Sequence, residues 1–212
     1  MENLEVIAER IREALEAKNA ARDEALRRSR KLIRRCANTI RATHRADFEK
    51  ASQLLASAHQ AASELVECVA DYPDLYYAGY TQDALKELAE ASITYALITD
   101  EPLPDPDDLS IEYAAYLNGL GEAVGEMRRH VLDIIRRGQT ERAEEILVAM
   151  DDICAVLVTI DFPDAITRRL RRTTDMVRGV LERTRGDLTM AMRQDKLQEA
   201  LRAFEERVSA DG

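Results

Sequence analysis

The chain has 212 residues, 46% hydrophobic and 33% charged, with a net charge of −10, which is long enough for one substantial core or two small ones. Scarce glycine and proline, 5% aromatics and a preponderance of Ala, Glu, Arg and Leu favour an all-helical protein and leave no apolar run near the roughly 20 residues of a membrane span. The acidic start MENLEVIAER is unlike a secretory signal, and three cysteines without a CxxC pair, Cys36, Cys68 and Cys154, exclude a disulfide scaffold and fit a reduced cytoplasm.

In chain order, residues 2 to about 45 read as one long helix, with Leu4, Ile7, Ala8, Ile11 and Leu15, then Leu26, Ile33 and Ile40 at helical spacing. A second helix runs from about Asp47 to Ala70 and is broken by DYPDLYYAGY, punctuated by Pro73 and Gly79. A third spans about Thr81 to Ile98. The stretch DEPLPDPDDLS, residues 100–110, has three prolines and five acids and reads as a linker between helices rather than between domains. A fourth helix runs from about Leu109 to Arg137, with Gly138 as its C-cap. TERAEEILVAMDDICAVLVTI forms the fifth, apolar enough at its end to be buried. DFPD turns the chain, with Pro163 near a helix start. The sixth helix runs to about Arg185, Gly186-Asp187 interrupts it, and a charged last helix runs from Leu188 to about Val208. The expectation is a single domain over residues 1–212, an antiparallel bundle of about seven helices.

The charge is segregated. Residues 22–45 carry nine basic residues against two acids, and residues 166–185 carry seven arginines against two acids. The bland reading is solvated, ion-paired helix faces; the sharper one is a polyanion-binding surface on an otherwise acidic chain.

The fourth helix holds LNGLGEAVGEMRRH, with three glycines among two glutamates. At 100° per residue, Tyr113, Leu117, Leu120, Val124, Met127, Val131 and Ile134 form a core stripe, and Glu122 and Glu126 lie opposite with Asn118, Gly121, Gly125 and Arg129. Each interior glycine costs roughly 1 kcal/mol relative to alanine, so the helix is expected to gain something in return: close approach of another backbone, or room for a ligand. On the third helix Leu85, Leu88, Ala89, Ser92 and Ala96 make the core stripe, and Asp83, Glu87, Glu90 and Thr94 align on the far side. The two helices are joined by one short linker and are expected to be antiparallel neighbours. Glu87, Glu90, Glu122 and Glu126 would then face one another, and a hard divalent cation is the natural neutraliser of an all-oxygen donor set. No E-x-x-H is present, which disfavours a di-iron centre. Glutamate pairs at these spacings are also common in chains this charged, so a merely solvated acidic scaffold stands as the plain alternative.

The segment SIEYAAYLNGLGEAVGEMRRHVLDIIRRGQ resembles the translin and translin-associated factor X family at Gly119, Gly125, Glu126 and Arg128 or Arg129. SRKLIRRCANTIRATHR is similar to the factor X first helix at Ser29, Arg30, Thr39, Ile40, His44 and Arg45, and LKELAEA matches at Leu85, Glu87, Glu90 and Ala91. AMDDIC and LRRTTDMVRGVLERTRGDL resemble the closing helices, so the likeness covers about residues 20–190. It implies an all-helical, translin-like fold, a hollow homo-octamer, and binding of single-stranded RNA, with single-stranded DNA as an alternative. It also implies metal-dependent endoribonuclease activity at Glu87, Glu90, Glu122 and Glu126 with Mg2+ or Mn2+, Glu122 standing where the family has Asp. Translin lacks the full set of four carboxylates, so the chain resembles the catalytic member of the family more; YYAGYTQDA lacks the basic cluster that translin carries nearby, which points to a different grip on nucleic acid.

With that resemblance, Arg30, Arg34, Arg41, His44 and Arg45, together with Arg168, Arg169 and Arg172, are the candidates for contacting RNA. Few aromatics are available for stacking, so little sequence preference is expected. The competing function is a non-catalytic translin-like holder of single-stranded nucleic acid.

Overall fold

The computed structural model describes residues 3–210. Among them there are eight helices and no strand: α1 (Leu4–His44), α2 (Phe48–Cys68), α3 (Pro73–Tyr76), α4 (Gly79–Thr99), α5 (Tyr113–Ile135), α6 (Thr140–Thr159), α7 (Asp164–Thr167) and α8 (Leu170–Ala210). The chain forms two compact units, Met1–Leu120 and Gly121–Gly212, and the division falls inside α5.

In the first unit α1, α2 and α4 pack on one another. Leu32 and Cys36 of α1, Leu65 of α2, and Leu85, Leu88 and Ile93 of α4 are fully enclosed. The α3–α4 junction is stitched by side chains that satisfy backbone carbonyls: the Thr81 hydroxyl donates to Leu75 O at 2.8 Å and Gln82 Nε2 to Tyr76 O at 3.0 Å. The acidic linker is lashed down by tyrosines, with the Tyr116 hydroxyl donating to Pro104 O at 2.9 Å and the Tyr76 hydroxyl to Glu112 Oε1 at 3.2 Å. That anchoring explains two departures from the sequence pattern. The helix begins at Tyr113 rather than about Leu109, and Tyr113, expected in the core stripe, is exposed with its hydroxyl held by Asp107.

In the second unit α6 and α7 pack on α8, with Met150, Leu157, Leu170 and Val177 enclosed. Gly138 stops the preceding helix as expected: it sits at φ +75°, and the amide of Gln139 donates back to Ile134 O at 3.1 Å. The interruption expected at Gly186-Asp187 is absent, and α8 runs unbroken for 41 residues. A glycine inside a helix costs only about 1 kcal/mol. Here the neighbouring carboxylate is anchored, because Arg128 Nη2 donates to Asp187 Oδ2 at 2.7 Å while Nη1 donates to the Thr184 hydroxyl at 3.1 Å. The break falls earlier instead, at Arg168 and Arg169, both in the left-handed region at φ 50° and 67°. Arginine carries no turn signal, so this kink was invisible in the sequence. The kink divides the expected sixth helix into α7 and the start of α8, and the break marked by Pro73 and Gly79 holds the single-turn helix α3.

The glycines of α5 are explained one by one. A Cβ on Gly119 would sit 2.7 Å from both the carbonyl oxygen of Lys86 and the Cβ of Ala89, and 3.0 Å from the amide nitrogen of Glu90, so α5 lies directly on the α4 backbone there. A Cβ on Gly121 would stand 2.3 Å from Thr173 Cγ2. At Gly125 nothing lies within 4 Å. Gly119→Ala should therefore destabilise the fold by about 1–3 kcal/mol, while Gly125→Ala should be neutral or stabilise it by up to about 1 kcal/mol. Urea denaturation of the two variants measures both, and equal midpoints would contradict this packing.

Candidate metal centre and basic surfaces

The third-helix stripe is placed as its spacing predicts: Leu85, Leu88, Ala89, Ser92 and Ala96 are all buried. That face fixes the azimuth of α4 and leaves Glu87 and Glu90 half-buried, with Asp83 exposed and Thr94 enclosed. Lys86 Nζ lies 3.9 Å from Glu87 Oε1. From α1, the Cys36 thiol sits close enough to feel both carboxylates. Burial first, then the charges of Glu87 and Glu90, push it up to about 12, so it stays a protonated, inert thiol.

On α5, Leu120, Val124, Met127, Val131 and Ile134 are buried, and Glu122 and Glu126 are half-buried on the other side of the helix. Arg129 Nη1 stands 3.7 Å from Glu126 Oε2. Gly119 seats α5 against Lys86, Ala89 and Glu90, and Glu122 follows three residues later, one helical turn on. One carboxylate oxygen from each of Glu87, Glu90 and Glu122 lies within 4.8 Å of the other two; Glu126 is not part of that close group.

Two full negative charges at such a separation repel by about 3 kcal/mol at an effective dielectric of about 20. Lys86 already stands beside this half-buried trio, and the donor set is all carboxylate oxygen. That set suits a hard divalent cation of the Mg2+ or Mn2+ type and offers nothing to a thiophilic one.

The arginine candidates are placed elsewhere. Arg30, Arg34, Arg41 and Arg45 are exposed and share an arc of about 60° on α1. The buried line of Leu32, Cys36, Thr39 and Thr43 lies on roughly the opposite side of that helix. Within the first unit the stripe therefore faces away from the Cys36 side, the side that neighbours Glu87 and Glu90. Arg41 donates to Asn38 Oδ1, and His44 is half-buried. In the second unit, Arg169 and Arg172 are exposed and Arg168 is half-buried at the α7–α8 kink. Sequence reasoning missed Lys86 and Cys36 as neighbours of the carboxylates: the core-facing position of Cys36 is legible in the helical pattern, but which charges lie across from it is not.

The helices are those of a known all-α class. The chain belongs to the translin superfamily. It is 34% identical to AfC3PO, a translin-family protein solved alone and in complex with duplex RNA; the match covers 88% of this chain and 97% of that one, with a TM-score of 0.82. NeC3PO, in its apo form, shares the fold at 21% identity and a TM-score of 0.79, over 87% of this chain and 96% of that one. An uncharacterized protein of Methanocaldococcus jannaschii is 29% identical over 186 residues, 87% of this chain and 82% of its own. No protein-family model matches the chain. Among the described residues, no helix is long and apolar enough to cross a membrane.

The thiol gives a direct test of the local environment. With Cys36 raised from 9.0 to about 12, the thiolate fraction near pH 8 falls by about a thousandfold. Native protein at pH 8 should leave Cys36 unalkylated by iodoacetamide, and urea should expose it, as read by peptide mass spectrometry. Rapid native labelling would show that the α1–α4 contact is wrong.

Proposed function

We propose that this protein binds RNA and cleaves it, as a divalent-cation-dependent endoribonuclease, with Glu87, Glu90, Glu122 and Glu126 holding the ion. The observation that carries the reading is the close trio of Glu87, Glu90 and Glu122 oxygens on a scaffold whose 34%-identical relative was solved with duplex RNA. Glu126, one turn along α5 from Glu122, is the fourth candidate ligand, and its ion pair with Arg129 would exchange one positive neighbour for another on loading.

A bound divalent cation supplies a lowered water pKa and charge stabilisation at the attacked phosphate. The protein's own part is positional. Buried Leu85, Leu88 and Ala89 fix α4, and the Gly119 contact holds α5 at backbone distance, so the carboxylates are pre-organised rather than recruited. A glutamate oxygen left unengaged by the ion is the group able to take a proton from water. Lys86 stands beside the cluster and is placed to meet a phosphate oxygen. Exposed Arg30, Arg34, Arg41 and Arg45, with His44 at the same helix end, and the Arg168, Arg169 and Arg172 group supply sequence-independent attraction for a nucleic-acid backbone. Because the α1 stripe faces away from Cys36, its role is capture of flanking strand, not contact with the reacting phosphate. The assembly reading is a closed homo-oligomer, an octamer by family resemblance, and the free cysteines accord with a reducing compartment.

The test is incubation of the purified full-length protein with labelled single-stranded and duplex RNA in Mn2+, Mg2+ or EDTA. Cleavage is expected with either cation and none in EDTA. Glu90→Gln and Glu122→Gln should each lower cleavage by at least about 100-fold, the loss of several kcal/mol of electrostatic stabilisation, while RNA binding in EDTA persists. RNA binding with no cleavage under any cation would identify a non-catalytic holder instead. Undiminished cleavage by both variants, in preparations free of contaminating nuclease, would exclude this carboxylate site. In a second series, Arg34→Ala with Arg41→Ala should weaken RNA binding and flatten its salt dependence by roughly two charges, without changing cleavage at saturating RNA.

A further inference from the structure

Val156 and Val158 stand exposed where the apolar end of α6 is expected to be buried, as do Phe162 and Ile166 beyond it. The corner with the makings of a ligand site lies in the first unit, between α3 and the acidic linker. Tyr76, Pro106, Asp107, Glu112 and Tyr113 line a hollow of about 340 Å³ there. Its walls are held by the linker's own hydrogen bonds: the Asp107 amide donates to Asp105 Oδ1 at 2.8 Å and the Ile111 amide to Pro106 O at 3.2 Å. Tyr77 braces the Tyr76 ring edge-on, with the centroids 4.9 Å apart. Among the described residues Asp105, Asp107, Asp108 and Glu112 have no ion-pair partner. Phenols meet their charge instead, Tyr76 donating to Glu112 and Tyr113 to Asp107. Burial first, then Glu112, pushes the Tyr76 hydroxyl up to about 12; Asp107 raises Tyr113, and burial followed by Asp105 raises Tyr116. Three phenols thus register a negative potential that no side-chain cation cancels. Behind Tyr76, Gln82 is 2% exposed. Its Nε2 donates to Tyr76 O at 3.0 Å and its amide also reaches the Tyr76 hydroxyl, while Oε1 has no hydrogen-bond partner. An enclosed carbonyl oxygen without a donor marks a place where a donor fits.

The sign of this corner excludes an anion. A single metal ion fits poorly, because the carboxylates close enough to share one, among the described residues, are Glu87, Glu90 and Glu122 and not these. Carboxylates spread along a linker suit positive charges that are spaced along a chain. Ring faces attract a cation, carboxylate and carbonyl oxygens accept its N–H groups, and the proline and ring edges take up methylenes. We infer that the hollow between α3 and the acidic linker binds an aliphatic polyamine. One ammonium group is received by Glu112 and Gln82 Oε1, and another by Asp107 beside the Tyr113 ring. The inference is independent of the ribonuclease reading.

Equilibrium dialysis of the full-length protein against labelled spermidine at low ionic strength tests it, with circular dichroism and melting temperature as controls for folding. Spermidine is expected to occupy one site per chain. Glu112→Gln should weaken binding by about tenfold, the loss of a charge-assisted partner. Asp107→Asn should do the same, and because Asp107 is exposed it serves should the first variant misfold. Tyr113→Leu should weaken binding about threefold by removing an aromatic face. Glu90→Gln should leave the affinity unchanged, which separates this hollow from the carboxylate trio. No binding by wild type overturns the inference, as does unchanged affinity in both Glu112→Gln and Asp107→Asn. Loss of binding in Glu90→Gln alone also overturns it and gives spermidine to the trio. Displacement of spermidine by an equal concentration of Mg2+ overturns it in favour of a metal ion. A lysine-rich peptide that binds through Glu112 and Asp107 where spermidine does not overturns it in favour of a basic protein segment.

Discussion

The arrangement of the candidate centre depends on one close approach: α5 rests on the backbone of α4 at Gly119, with Lys86 O and Glu90 N where a side chain would otherwise stand. Helices packed through ordinary side chains lie 8–10 Å apart, and long glutamates reaching across that gap would keep much of their rotamer freedom. Removing the side chain at Gly119 shortens the gap beside Glu90 and places Glu122 one turn further along. The helical cost of glycine, about 1 kcal/mol, is offset by geometry that the carboxylates could not otherwise reach. Gly125 has no such contact; it leaves open space between the turns that carry Glu122 and Glu126.

The electrostatics then follow from segregation. The chain is acidic as a whole, and it concentrates carboxylates where α4 and α5 meet while holding cations on separate helix faces. Lys86 lies 3.9 Å from Glu87 and Arg129 3.7 Å from Glu126. Both cations temper the repulsion among the glutamates. Where arginine is used structurally the geometry is tighter, as with Arg128 on Thr184 and Asp187, or Arg35 donating to Ser57 O at 2.7 Å. Charged residues in this protein thus divide into those consumed by packing and those left available. Arg30, Arg34 and Arg45, with Arg41 bound only to Asn38, belong to the second group.

Much of the secondary structure was legible in the sequence. Helical periodicity, the Pro73 and Gly79 punctuation, the proline-rich acidic linker and Gly138 as a helix stop are local signals, written in backbone preference and side-chain spacing. The two pairs Glu87/Glu90 and Glu122/Glu126 could also be placed on the far sides of their core stripes by counting at 100° per residue. What the sequence could not supply is whatever one helix learns from another. Gly186-Asp187 has the composition of a break, yet Arg128, 59 residues away from Asp187, keeps α8 continuous. Arg168 and Arg169 have the composition of helix and form the kink. Gly119, Gly121 and Gly125 are alike in sequence, and only the atoms facing them separate the two that admit no Cβ from the one that does. The closeness of three carboxylates and the exposure of Phe162 and Ile166 are of the same kind. Both are set by distances between segments far apart in the chain, which a periodicity along the chain does not encode.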